Sequence, residues 1–282
     1  MSTVNDNYPV SDEKLKELAV QQYTQAQVRK SNFPTEMVSL PSQGKVYPEG
    51  NPLRSGQIEM KYMTAREEDI LTSQNLIRQG VVLDKLMQSL IVSPINYNDL
   101  VIGDKNAIMI ASRILGYGKD YEIDVVCPSC KEKNHVTIDL TKLPEKNIPD
   151  SAKTVNINEF EFTLPQSKRT VTFKLLAHGD EKAIQTELDA LKKVAKKDSV
   201  DTELSTRLKY TIQSVDGNSD KSFINNFVEM ELFAMDSKSL RKYIRDCSPD
   251  QKFEISFACT HCDHEQEALG FSMDTNFFWP SN

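Results

Sequence analysis

The chain has 282 residues, with 34 Lys and Arg against 41 Asp and Glu, and a formal net charge of -7. That balance argues against a coat for nucleic acid or anionic lipid, whose phosphates attract Lys and Arg. No apolar run reaches the roughly 18–20 residues that span a bilayer, so no membrane span is predicted.

The opening MSTVNDNYPVSDEK lacks a basic stretch followed by an apolar one. A secretory leader is therefore not expected, and synthesis in the cytoplasm is. Residues 1–32 read as a tail and an amphipathic helix. Over 12–30, Leu15, Leu18, Ala19, Tyr23 and Ala26 fall on one helical stripe. Leu15, Leu18 and Tyr23 either pack at home or dock on a partner. Next, EMVSLPSQGKVYPEGNPLRSGQIEMKYM predicts two short strands around a Pro- and Gly-rich loop. Thr64 and Glu67 form a capping box that opens a helix predicted to run to about Gly80. The carboxylates of REED, 66–69, read as solvated charge on its first turn. VVLDKLMQSLIV and DKNAIMIASRIL predict two further helices, the second stopped at Gly116 and Gly118. Residues 33–119 are thus expected to form a mainly helical domain.

The period then changes to two. In DYEIDVVCPSCKEKNHVTIDL, Tyr121, Ile123, Val125 and Cys127 share a face, and Val136, Ile138 and Leu140 share one after the turn. In KFEISFACTHCDHEQEALGFSM, Phe253, Ile255, Phe257 and Cys259 do the same. Both stretches read as one hairpin, repeated, with CxxC at the tip. Residues 120–141 and 251–282 would form one split zinc-ribbon-like module, and 142–250 an α+β insertion. Within the insertion, EFEFTLP and TVTFKLLAH read as a strand pair, DTELSTRLKYTIQSVDG as a helix, and Asp236 as an N-cap. The predicted fold class is α+β, with a helical N-terminal half.

A structural zinc takes four thiolate or imidazole ligands in a tetrahedron. Two hairpin tips that face each other would supply Cys127, Cys130, Cys259 and Cys262, for one structural Zn2+ per chain. The long separation of the pairs is no obstacle, because loop closure costs only logarithmically more with length. The small apolar faces of the hairpins make a metal useful: structural zinc supplies roughly 10–16 kcal/mol in zinc-finger peptides. His261 and His264 are alternative ligands, and the choice between zinc and iron stays open. A redox CxxC is the other reading, though such motifs sit at a helix start in a βαβ setting. Cys247 reads as a small apolar residue in a helix, and His135 and His178 as ordinary strand residues.

No P-loop, GxSxG or HExxH occurs, and no nucleophile stands beside a base. The expectation is a protein without enzymatic activity, without a small-molecule substrate and without a catalytic or cofactor-binding residue. A zinc-ribbon nucleic-acid binder or adaptor is the alternative. The second tip, with Asp263, Glu265 and Glu267, does not favour it. Near the end, Phe277, Phe278 and Trp279 either cap the core of the module or anchor a partner, since aromatics dominate interface hot spots.

Taken in order, VSLPSQGKVYPEG, MTAREEDIL, LVIGDKNAIMIASRILGYGKDYEI running into CPSC, AMDSKSLRKYI, CTHCDHE and FFWP resemble the baseplate hub subunit family of T-even-type contractile-tailed bacteriophages. The resemblance covers most of residues 35–280 and leaves the helix over 12–30 outside. It implies a hub subunit or hub-assembly factor that works by protein–protein contact. The partners it implies are other baseplate hub proteins and the tape-measure protein. It places the chain in the host cytoplasm during assembly, and in the tail baseplate if the chain stays in the virion. No catalytic residue carries over.

Overall fold

The computed structural model describes residues 34–194, 202–271 and 277–278. The helix predicted over 12–30, with Leu15, Leu18 and Tyr23, lies outside the described residues, as does Trp279.

The first predicted strand pair is present. Thr35–Ser39 (β1) runs antiparallel to Gln57–Lys61 (β2), with Val38 opposite Ile58. The loop between them is tight at Gly44, where φ is +75° and an added Cβ would lie 2.2 Å from the Arg54 carbonyl oxygen. Only glycine tolerates that combination.

The capping box forms as expected, Glu67 Oε2 accepting from the Thr64 N–H at 3.1 Å and from Thr64 Oγ1 at 2.6 Å. The helix it opens does not run unbroken to Gly80. It covers Ala65–Thr72, turns at Ser73, where ψ is 104°, and resumes over Gln74–Arg78. Glu67 is not solvated either. Its side chain is fully buried and also takes hydrogen bonds from Lys61 Nζ at 2.8 Å and Ser89 Oγ at 2.7 Å. Burial pushes this carboxyl up, but the donors from Lys61, Thr64 and Ser89 outweigh it and hold the group at about 2.

Helices Val82–Leu90 and Ile102–Tyr117 follow, the second ending at Gly118 with φ +85°. Asp104, in its first turn, is fully buried. It accepts from the Ser42 N–H at 2.9 Å, Ser42 Oγ at 2.6 Å and Tyr47 OH at 2.6 Å. Tyr47 OH in turn accepts from the Val101 N–H at 3.1 Å. The loop of SLPSQGKVYP and the helix start of VIGDKNA are thus one hydrogen-bonded unit. Burial raises the Asp104 carboxyl above the usual range.

The later part holds a four-stranded antiparallel sheet in the order Thr154–Asn156 (β6), Glu159–Thr163 (β7), Thr170–Phe173 (β8) and Ile212–Val215 (β9). β7 and β8 are the expected pair. β9 is a correction: the helix predicted over 201–217 spans Glu203–Thr211 and the chain then becomes a strand. Ile212 and Val215 are buried there, and burial against β8 overrides the weak helical pattern. Asp236 is a second correction. Phe233 is the N-cap of helix Ala234–Cys247, and Asp236, in the first turn, accepts from the N–H groups of Gln166 at 2.7 Å and Ser167 at 3.0 Å. His178 opens helix His178–Val194 rather than sitting in a strand.

The segment 147–249 is pinched at its base. Glu145–Lys146 (β5) pairs with Asp250–Gln251 (β10), and the Lys252 N–H reaches the Pro144 carbonyl at 2.8 Å. Gly103 touches the same place: a Cβ there would lie 1.7 Å from the Pro249 oxygen. The whole is a mixture of helices and small antiparallel sheets, and one cluster of buried apolar side chains extends from Leu40 to Phe278.

Candidate metal centre

Asp120–Val126 (β3) pairs with Lys133–Asp139 (β4), and Cys127 and Cys130 lie in the connection. Glu254–Ala258 (β11) pairs with Glu265–Gly270 (β12), and Cys259 and Cys262 lie in that connection. Alternation along β3 buries Tyr121 and half-buries Ile123 and Val125, as the period of two requires. Next to the cysteines the two pairs have matching registers: Val126 faces Lys133, and Ala258 faces Glu265. The backbones also match. The Cys127 N–H donates to the Glu132 carbonyl at 3.0 Å, and the Cys259 N–H to the His264 carbonyl at 2.9 Å. Farther down, the second pair departs from the first by an irregularity between Ile255 and Phe257.

The two connections bring all four sulfurs within 4.8 Å of one another. Cys127 Sγ is 3.8 Å from Cys262 Sγ, and Cys130 Sγ is 3.6 Å from Cys259 Sγ. A disulfide would place sulfurs at about 2.05 Å, so these are separate thiols. A tetrahedral metal with sulfur ligands at about 2.3 Å has sulfur–sulfur edges of about 3.8 Å. The observed separations fit that shape, and the four thiols could hold a metal ion. His261 and His264 do not belong to the set. The His261 ring nitrogen lies 3.1 Å from Thr260 Oγ1, and the His264 ring sits 6.5 Å from that of Phe257.

The thiols are not equivalent. At Cys130 the Glu132 backbone N–H favours the thiolate, but desolvation and the thiols of Cys262, Cys259 and Cys127 push the group up to about 12. At Cys259 desolvation opposes ionisation, yet the N–H groups of His261 and Cys262 and the thiols of Cys127 and Cys130 bring it down to about 6. A cation bound by the four sulfurs would displace the thiol protons.

Asn134 was missed by sequence reasoning. It lies on β4, only 2% exposed. Its Oδ1 accepts from the Thr260 N–H at 2.8 Å and Thr260 Oγ1 at 2.9 Å. Its Nδ2 donates to the Glu132 carbonyl at 3.1 Å and points at Cys259 Sγ at 3.6 Å. One amide therefore fastens the second connection to the first. Its signal was an asparagine on the face otherwise held by Val136 and Ile138.

Of the predicted partner-binding residues, Phe277 and Phe278 are buried at 2% each. Their rings meet edge to face at 5.1 Å, and Phe277 meets Tyr121 at the same distance, so they pack within the chain. Among the described residues, no helix is long and apolar enough to cross a membrane.

A comparison with protein families matches residues 33–279 to the family described as T4 bacteriophage base plate protein. The match spans the motifs on which the sequence resemblance rests, apart from the final Pro280 of FFWP. Neither a curated protein nor a solved structure matches the chain.

Proposed function

The chain belongs to the T4 bacteriophage base plate protein family, and on that footing we propose that it is a non-enzymatic subunit or assembly factor of the base plate hub. The family match over 33–279 carries this reading. Its partners are then other hub proteins and the tape-measure protein. Its place is the host cytoplasm during assembly and the base plate of the virion tail if it is retained.

The same reading assigns Cys127, Cys130, Cys259 and Cys262 to one structural zinc, with the two strand pairs as halves of a split zinc ribbon. Support comes from the all-sulfur donor set and its spacing. Four thiolates close the coordination sphere, so such a metal would staple the fold and would activate no water. Trp279 and the stripe with Leu15, Leu18 and Tyr23 are the proposed partner contacts that remain.

Quantitative mass spectrometry of purified particles, and of proteins recovered with the chain from infected cells, tests the reading. A fixed low copy number in particles beside other base plate proteins identifies a hub subunit. Absence from particles with recovery of hub or tape-measure proteins identifies an assembly factor. Recovery of host nucleic-acid machinery alone overturns both.

A further inference from the structure

An open groove of about 560 Å³ lies where helix Ile102–Tyr117, helix Ala234–Cys247 and the start of β11 converge. Its floor is apolar, formed by Ile102, Leu176, Leu204, Leu208, Ile244 and Phe253. A smaller chamber of about 220 Å³ adjoins it and shares Ile102, Leu176 and Ile244 as lining. The wall at Gly103 and Pro249 is tight enough that a Cβ at Gly103 would lie 1.7 Å from the Pro249 oxygen.

The rim is basic in a chain that is acidic overall. Lys146, Arg207, Arg241, Arg245 and Lys252 line the groove, against Asp250 and Glu254. Arg207 is engaged with Glu181 and Glu203. Asp250 is engaged with Asn106. Among the described residues, Lys146, Arg241, Arg245 and Lys252 form no salt bridge. Lys146 Nζ donates to the Arg245 carbonyl and Arg241 Nε to the Ser237 carbonyl at 3.3 Å, so these cations meet neutral backbone oxygens and no carboxylate. Four cations without a paired carboxylate around an apolar trough set the chemistry of what would fill it.

We propose that this groove docks an acidic peptide segment of another protein, with an aliphatic or aromatic anchor in the trough and carboxylates on Arg241, Arg245 and Lys252. A nucleic acid has the right charge but the wrong body. Bases stack on aromatic faces, and this floor is aliphatic apart from Phe253. A long polyanion would also meet the repulsion of a chain with net charge -7. The inference stands on the groove alone and needs neither the metal nor the hub.

The test is selection of a random peptide library on the full chain purified with zinc present, followed by fluorescence anisotropy on the best synthetic peptide and on labelled oligo-dT. The expected winners carry Asp or Glu around Leu, Ile or Phe. The double variant Arg241→Glu, Arg245→Glu should weaken the peptide at least about tenfold, as loss of desolvated charge pairs does. Both residues are exposed, so the variant should still fold, with its thermal midpoint lowered only slightly by a carboxylate in the last turn of the helix. Leu204→Asn should weaken it about threefold or more through the lost apolar contact. No enrichment, winners without acids, or affinity indifferent to the Arg241 and Arg245 reversal would overturn the proposal. Oligo-dT binding that alone is lost in that variant would overturn it too and make the groove a nucleic-acid site.

Discussion

Asn134 and Thr260 belong to separate strand pairs, yet the Asn134 side-chain oxygen takes both the backbone N–H and the hydroxyl of Thr260, at 2.8 and 2.9 Å. The same amide's nitrogen faces the Cys259 sulfur. A polar contact therefore joins the two halves of the thiol cluster independently of any cation.

Asn134→Ala removes three partners at once and leaves the Thr260 N–H unsatisfied. The expected cost is about 1–3 kcal/mol in stability and about 10–100-fold in metal affinity, the usual price of losing a supporting group behind a ligand. Competition with a chromophoric zinc chelator reads the second quantity. Unchanged affinity would make Asn134 a bystander.

Cys→Ser at any one of positions 127, 130, 259 and 262 should abolish stoichiometric zinc, measured by elemental analysis, and lower the thermal midpoint. Cys247→Ser is the control. Cys247 is fully buried in helix Ala234–Cys247, away from the cluster. That variant should lose stability with zinc content intact. Full zinc in any of the first four variants would show that another ligand completes the set.

Acid should act through Glu67. Its folded value, about 2, lies below the ordinary 4.5. The folded state therefore binds fewer protons than the unfolded one between these values, and stability falls as pH falls through that window. The stabilisation is fully present above the ordinary value and amounts to roughly 3 kcal/mol for a buried group with this shift. Urea midpoints measured from neutral pH down to about pH 3 should fall more steeply for the wild type than for Glu67→Gln, which cannot titrate. Parallel slopes would mean that the Lys61, Thr64 and Ser89 contacts do not set the acid sensitivity.

Gly103→Ala should be among the most damaging single substitutions, because its Cβ would collide with the Pro249 carbonyl at 1.7 Å. Overpacking of that severity costs about 3 kcal/mol or more. Gly50→Ala offers the comparison: no atom lies within 4 Å of its Cβ, but φ is +84°. Its cost is the backbone term alone, about 1–2 kcal/mol. Thermal unfolding of both variants separates steric from conformational cost.

The cysteine pairs, the alternation around them and the capping box were readable because each is a local pattern with one physical meaning. Burial of single polar residues was not. Glu67 in REED looks like surface charge until Lys61 and Ser89 arrive from other elements. Asp236 looks like a cap until the loop at Gln166 and Ser167 supplies its donors. Asn134 is one polar residue on a strand, and only the second strand pair brings Thr260 to its side-chain oxygen. Ile212–Val215 is too short to outvote the helix before it, and its partner strand β8 decides the matter. In each case the missing information was a long-range partner.

The two strand pairs also touch below the sulfurs, where the rings of Tyr121 and Phe271 lie 6.4 Å apart. With a cation on the four thiols, the chain that enters at Asp120 and the chain that leaves at Gly270 are clasped at both ends. Tension applied across those two points would be carried by the clasp. The long intervening stretch, with its four-stranded sheet and its groove, would sit outside the load path and could keep its shape while the rest of an assembly pulls.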